Sequence, residues 1–155
     1  DYEKGLELMY RTNPFPATCG RICTRRCESV CPVGILGEPV AIRWLKRFIV
    51  DQVDAKDYKR ILNEQITETG HKVAIIGAGP GGLSAAYYLR QQGHAVTVFE
   101  AEASGGGMLR YGVPSYRLPD ADLDKDIDHI VSLGVYIRNN TKVGKDVTFE
   151  KLLED

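Results

Sequence analysis

Four cysteines stand at equal intervals in the run CGRICTRRCESVCPVG, at Cys19, Cys23, Cys27 and Cys31. Thiolates are soft ligands, suited to iron–sulfur clusters and to zinc. All four fall within 13 residues, too clustered for a disulfide framework and fitting a metal site in a reducing compartment. On one continuous helix they would span roughly 18 Å at 1.5 Å per residue, far more than one iron–sulfur cube. Either the backbone folds back around a single cluster, or the cysteines are shared between sites. Cys31, followed by Pro32, has the form of a cysteine that serves a second cluster. Iron–sulfur ligation is the first expectation. Zinc, which favours C-x2-C pairs, and unliganded or disulfide-paired thiols are the alternatives. Arg21, Arg25 and Arg26 either offset the charge of a thiolate-bound cluster or form a solvated basic turn.

The second chemical stretch is HKVAIIGAGPGGLSAAYYLRQQGHAVTVFEA, His71 to Ala101. An apolar run, Val73 to Ile76, enters a glycine-rich turn, and helix-forming sequence follows from Leu83 to Gln92. Gly93 stops that helix, and a second apolar run, Ala95 to Phe99, ends at Glu100. The order is strand, phosphate loop, helix, strand, ribose acid. Gly77 permits the sharp turn, Gly79 admits a pyrophosphate against the backbone, and Gly82 lets helix and sheet approach. The helix N-terminus offers unpaired N–H groups and partial positive charge to the phosphates. Glu100 lies 23 residues after Gly77, close to the expected spacing for an acid that accepts from ribose hydroxyls. Its charge would repel a 2′-phosphate, so the site suits FAD or NAD better than NADP.

Several further elements must hold these two stretches. A short amphipathic helix is expected over 2–11, ended by Asn13-Pro14-Phe15-Pro16. A helix over 39–52 has Pro39 in its first turn and Ala41, Leu45, Phe48 and Ile49 on its apolar face, with Trp44 as a packing residue. A weaker helix covers 55–67, with Tyr58, Ile61 and Leu62 on its apolar side. So thin a helical unit needs a staple, which a metal cluster would supply. After Glu100, Ser104-Gly-Gly-Gly107 allows backbone to lie against a flat or anionic ligand. Asp120 reads as an N-cap for a helix with Leu123, Ile127, Ile130 and Val131 on one face. Val135 to Arg138 is a third strand, and a last short helix runs from Phe149 to Glu154.

The fold class is therefore mixed. A helical, cysteine-rich domain (1–69) precedes an α/β Rossmann-type domain (70–155) for FAD or NAD. The net charge of −1 offers nothing to nucleic acid or to an anionic membrane, and the apolar runs are too short to span a bilayer. A cytoplasmic protein is expected. His71, His94 and His129 read as surface or structural residues at element edges. No cysteine follows the glycine loop, which argues against a disulfide reductase.

Three segments together carry a resemblance: NPFPATCGRICTRRCESVCPVGILGEPVAIRWLKRF, VAIIGAGPGGLSAAYYLRQQGHAVTVFE and GGGMLRYGVPSYRLP. In this order they resemble the small, NAD(P)H-oxidising subunit of glutamate synthase. They resemble equally the N-terminal half of dihydropyrimidine dehydrogenase and related flavoproteins associated with hydrogenase, formate dehydrogenase or electron bifurcation. The resemblance implies an FAD site in which Gly77, Ala78, Gly79, Pro80, Gly81 and Gly82 meet the pyrophosphate and Glu100 meets the adenosine ribose. It implies that Met108 and Arg117 touch FAD and that Val143 lies near the adenine. It also implies two [4Fe–4S] clusters: Cys23 and Cys27 share one and Cys31 serves the other, while Cys19 is a candidate ligand that the family pattern leaves open. Lys46 stands where dihydropyrimidine dehydrogenase has a ligating Gln, and Lys⁺ cannot be a ligand. The family's upstream cysteine motif and its NAD(P)H-binding domain are not among these 155 residues, so the chain is expected to be part of a longer polypeptide, with 70–155 the first part of an α/β Rossmann-type FAD-binding domain. The implied activity is electron transfer between NAD(P)H, FAD and [4Fe–4S] clusters, with another redox subunit or domain as partner. The alternatives are a nucleotide-binding docking module and an NAD-binding dehydrogenase half without flavin chemistry.

Overall fold

A computed structural model describes residues 1–54, 57 and 66–154. The first unit is helical: α1 (Tyr2–Tyr10), α2 (Pro16–Ile22), α3 (Arg26–Ser29), a 3₁₀ turn (Pro32–Ile35) and α4 (Ile42–Gln52). The second alternates strand and helix: β1 (Lys72–Ile76), α5 (Pro80–Gln91), β2 (Ala95–Phe99), α6 (Met108–Tyr111), α7 (Asp120–Ser132), β3 (Tyr136–Arg138) and α8 (Phe149–Glu154). The weaker helix expected over 55–67, with Tyr58, Ile61 and Leu62, falls outside the described residues apart from its ends.

The sheet is parallel, in the order β1-β2-β3, with Val73 opposite Val96 and Val98 opposite Ile137. Helices α5 and α7 cover one face. Their core holds Leu83, Ala86, Tyr87, Val96, Val98, Leu123, Ile127, Ile130 and Val135. Parallel pairing places the C-terminal ends of all three strands on one side, where ligands of open α/β sheets bind. Under the opposite face lies a cavity of about 750 Å³ between β1, β2 and the Phe149, Leu152 and Leu153 side chains of α8.

The helical unit is fastened to α5 and α7 by a built joint. Phe15, 5% exposed, reaches into the sheet-side core, and Cys19 and Ile22 pack beside it. The Tyr87 hydroxyl donates to the Tyr10 carbonyl at 2.5 Å, and the Tyr10 ring stacks on His129 at 3.8 Å. The α2 N-terminus has no side-chain cap of its own. Buried Asp126 of α7 supplies one, accepting from the N–H groups of Ala17 (3.1 Å) and Thr18 (2.8 Å). Arg21, with its side chain 8% exposed, bridges Asp51 of α4 (2.8 Å) and Asp122 of α7 (2.7 Å).

Four expectations are corrected. Pro39 is not in the first turn of α4. That helix starts at Ile42 behind Ala41, and the Arg43 N–H is taken by the Glu28 carboxylate at 2.8 Å. The face carrying Trp44, Leu45 and Phe48 is about half exposed, while Val50 on the other side is fully buried. Of the stripe that periodicity selected, Ile49 packs against the core of α1 and α2 beside Val50, while Leu45 and Phe48 do not. Asp120 is the first residue of α7 rather than its cap, because Pro119 occupies the cap position. His129 sits inside α7 at 1% exposure rather than at an edge.

Candidate functional site: two glycine loops and a cysteine rim

The dinucleotide cleft forms where β1 gives way to α5. Gly77 adopts φ +94°, a left-handed conformation that favours glycine. Its N–H stays on the sheet, donating to the Phe99 carbonyl at 2.8 Å. Gly79 is the N-cap of α5 and Pro80 follows at its first position, where a missing N–H costs nothing. A methyl group at Gly82 would overlap the Gly77 carbonyl oxygen, so only glycine lets the helix sit this close. At Gly77 and Gly81 an added methyl would meet nothing within 4 Å. The loop thus packs tightly at Gly82 and is open toward the strand ends, leaving room for a pyrophosphate against N–H groups with no intrahelical acceptor.

Glu100, 7% exposed, ends β2 beside this loop. One carboxylate oxygen accepts from the Ala78 N–H at 2.7 Å and the other from the Glu102 N–H at 2.9 Å. The acid therefore fixes the glycine loop as well as facing the cleft, and each oxygen keeps a lone pair for a hydroxyl donor. The turn after β3 closes this side, with the Thr141 N–H on the Glu100 carbonyl at 2.8 Å. Val143 lies in that turn, half-buried and bridged to Val147.

A second glycine stretch forms the facing wall. The Gly106 N–H donates to the Ala78 carbonyl at 2.7 Å. Gly107, at φ +52°, lies so close to the first loop that an added methyl would come within 2.8 Å of the Gly79 Cα. Met108 follows at the start of α6 and is 73% exposed. Arg117 is exposed in the turn before α7, its N–H on the Pro114 carbonyl at 2.9 Å. The structure thus gathers Gly77 to Gly82, Glu100 and the 141–143 turn, and sets Met108 beside the second loop. Arg110, which sequence reasoning passed over, holds that loop from behind. Its Nε donates to the Gly105 carbonyl at 2.7 Å, and its guanidinium pairs with Asp124 and, at 3.2 Å, with Asp120. A lone Arg in a short loop gives no signal of such a role.

The cysteines lie on separate short segments, all as free thiols. Cys19 is on α2 against the joint, and burial raises its pKa above the usual thiol range. Cys23 caps the C-terminus of α2 and its sulfur accepts from the Arg25 N–H at 3.5 Å. Cys27 is exposed on α3. Cys31 caps the 3₁₀ turn, where N–H groups of Val40, Val33 and Gly34 hold its pKa below the usual thiol range. Such N–H donors stabilise a thiolate, as a metal ligand requires. Among the described residues, no three Cys, His, Asp or Glu side chains converge as a metal site. Cys23 and Cys31 fit a ligand role one by one, but these thiols do not enclose a cluster together. Arg21 faces the carboxylates of the joint rather than the thiols.

Two family models match the chain: dihydropyrimidine dehydrogenase domain II, 4Fe-4S cluster, over residues 1–58, and the NAD(P)-binding Rossmann-like domain over residues 75–139. The chain is 41% identical to the NADP(+)-dependent formate dehydrogenase subunit beta of Moorella thermoacetica, over 99% of this chain and 25% of that protein. It is 38% identical to the glutamate synthase [NADPH] small chain of Mycobacterium tuberculosis, over 99% of this chain and 31% of that one. The chain belongs to the family of the glutamate synthase small subunit and the dihydropyrimidine dehydrogenase N-terminal region. The NAD-dependent dihydropyrimidine dehydrogenase subunit PreT of Escherichia coli O157:H7 is 38% identical, over 98% of this chain and 37% of its own length. The chain therefore spans between a quarter and two fifths of the length of these family members. The first model ends at residue 58 and the second begins at residue 75, so the iron–sulfur and Rossmann-like units follow each other in the order the motifs implied. No helix among the described residues is long and apolar enough to cross a membrane.

Proposed function

We propose that this chain forms the cysteine-bearing and first dinucleotide-binding part of an iron–sulfur flavoprotein oxidoreductase that draws electrons from NAD(P)H. The observation that carries this reading is the cleft between two touching glycine loops, with Glu100 beside it, in a unit joined through Phe15 and Asp126 to the helices that bear the cysteines. FAD, when bound, supplies the conversion between hydride and single-electron chemistry. The chain's own residues supply position. N–H groups at the α5 N-terminus face the pyrophosphate, and the open space at Gly77 and Gly81 lets it approach. Glu100 receives the adenosine ribose hydroxyls, Val143 lines the adenine side, and Met108 and Arg117 reach the dinucleotide from the second loop and the turn beyond it.

Cys23, Cys27 and Cys31 are the proposed ligands of [4Fe–4S] clusters, with donors beyond this rim completing the sets. Cys19 serves the joint instead. Nicotinamide binding belongs to a further domain, and the electron acceptor is another redox subunit or domain. Four free cysteines suit the reducing cytoplasm.

The test is anaerobic purification of the protein expressed from its full coding sequence, followed by iron, sulfide and flavin analysis. Iron, sulfide and released FAD together are the expected result. The description of the matched Rossmann model as NAD(P)-binding favours a second reading, an NAD-binding half without flavin. Tight NAD binding with no flavin would establish that reading and end the first.

A further inference from the structure

Arg110 is a mostly buried cation that touches the cleft wall without lying in either glycine motif. Its side chain is 14% exposed. Nε donates to the Gly105 carbonyl at 2.7 Å, one terminal nitrogen pairs with Asp124, and the other with Asp120 at 3.2 Å. Both acids belong to the first turns of α7, which is packed into the core through Leu123 and Ile127. The loop that Arg110 grips is the one whose Gly106 N–H bonds Ala78 and whose Gly107 lies against Gly79. The Tyr111 hydroxyl also donates to the Ser104 carbonyl at 3.2 Å, but it is Arg110 that ties the loop to α7 through side-chain charge. Gly106 and Gly107 both have positive φ, and glycine loses more freedom on ordering than any other residue.

We propose that Arg110, backed by Asp124, is a positioning residue for the dinucleotide: it clamps the 104–107 loop to α7 so that the second wall of the pyrophosphate cleft is formed before the ligand arrives. The inference rests on the FAD reading of this cleft. A planar guanidinium can satisfy a carbonyl and two carboxylates at once, whereas Lys offers one compact ammonium group. Released, the loop would have to be ordered by the ligand itself, and the ordering would weaken binding.

The test compares FAD binding by the protein expressed from its full coding sequence with that of Arg110→Gln, Arg110→Lys and Asp124→Asn. Arg90→Gln is the control. Arg90 makes a similar set of bonds, to the Leu133 carbonyl (2.8 Å), the His94 carbonyl (3.2 Å) and Glu68, but at the far end of the sheet. FAD is stripped and titrated back, with flavin fluorescence and visible circular dichroism as readouts. Arg110→Gln should weaken FAD by about tenfold or more, with Lys between Gln and the parent and Asp124→Asn milder. Its flavin dichroism should differ in shape from the parent's. Arg90→Gln should lower thermal stability while leaving FAD affinity within about twofold. Parent-like FAD affinity in Arg110→Gln, or an equal loss in Arg90→Gln, overturns the clamp while the FAD reading stands. A parent protein that takes up no FAD overturns both.

Discussion

Asp126 shows what one residue contributes when the tertiary structure surrounds it. Its carboxylate is fully buried and caps a helix from another unit. Burial pushes its pKa up to about 7, against the opposing pull of the Thr18 and Ala17 hydrogen bonds and of Arg21. The unfolded chain releases this proton near the usual value of 3.8. Between those two values the folded state holds more protons than the unfolded state, so stability falls as pH rises from about 4 to about 7 and then levels off. The full effect of one such group is on the order of 4 kcal/mol. Asp126→Asn should remove that slope, giving a flatter stability curve between about pH 4 and pH 7. Chemical denaturation at several pH values checks this, and parallel curves for parent and variant would refute it. The place of Glu100 beside the glycine loop was legible from its position after β2. Its hold on the Ala78 N–H at 2.7 Å was not, because spacing does not reveal which way a carboxylate turns.

At the scale of elements, the joint between α2 and α7 decides how the cysteine rim sits relative to the cleft. Phe15 is its anchor, placed by the two prolines around it and buried in the core of the neighbouring unit. Phe15→Ala should cost about 3–5 kcal/mol. Limited proteolysis should then cut first within residues 1–54, ahead of the sheet. Cleavage that begins in the sheet, or an unchanged pattern, would show that the joint does not depend on this ring. The elements of the second unit were legible nearly to the residue, since β1, α5 and β2 follow a motif in which each glycine has a physical duty. Helix α4 was less so. Its sequence carries apolar residues on two sides, and periodicity chose Leu45 and Phe48 along with Ile49, where the fold buries Val50 and packs Ile49 beside it.

For the whole molecule, the cysteine rim and the glycine-loop cleft lie on two units joined through α2 and α7. The rim's thiols differ in environment: partial burial favours the protonated form at Cys19, whereas backbone N–H groups favour the thiolate at Cys31. Cys27→Ser and Cys31→Ser should each lower iron content by about half or more when the full coding sequence is expressed anaerobically, because a lost thiolate opens a cluster. Cys19→Ala should retain iron at the parent level. Loss of iron in Cys19→Ala would place Cys19 among the ligands.

The sequence by itself determined the two units and their order, the parallel sheet, the glycine loop and Glu100. These depend on local chemistry: period, turn residues and fixed spacing. Only the tertiary structure decided which partners meet across long stretches of chain. It put Asp126 at the start of α2, Arg21 between two acids, and Gly107 against Gly79. It also made Arg110 the support of the second loop. Such contacts join residues far apart in the chain, and no local pattern encodes a charge whose partner arrives from another helix.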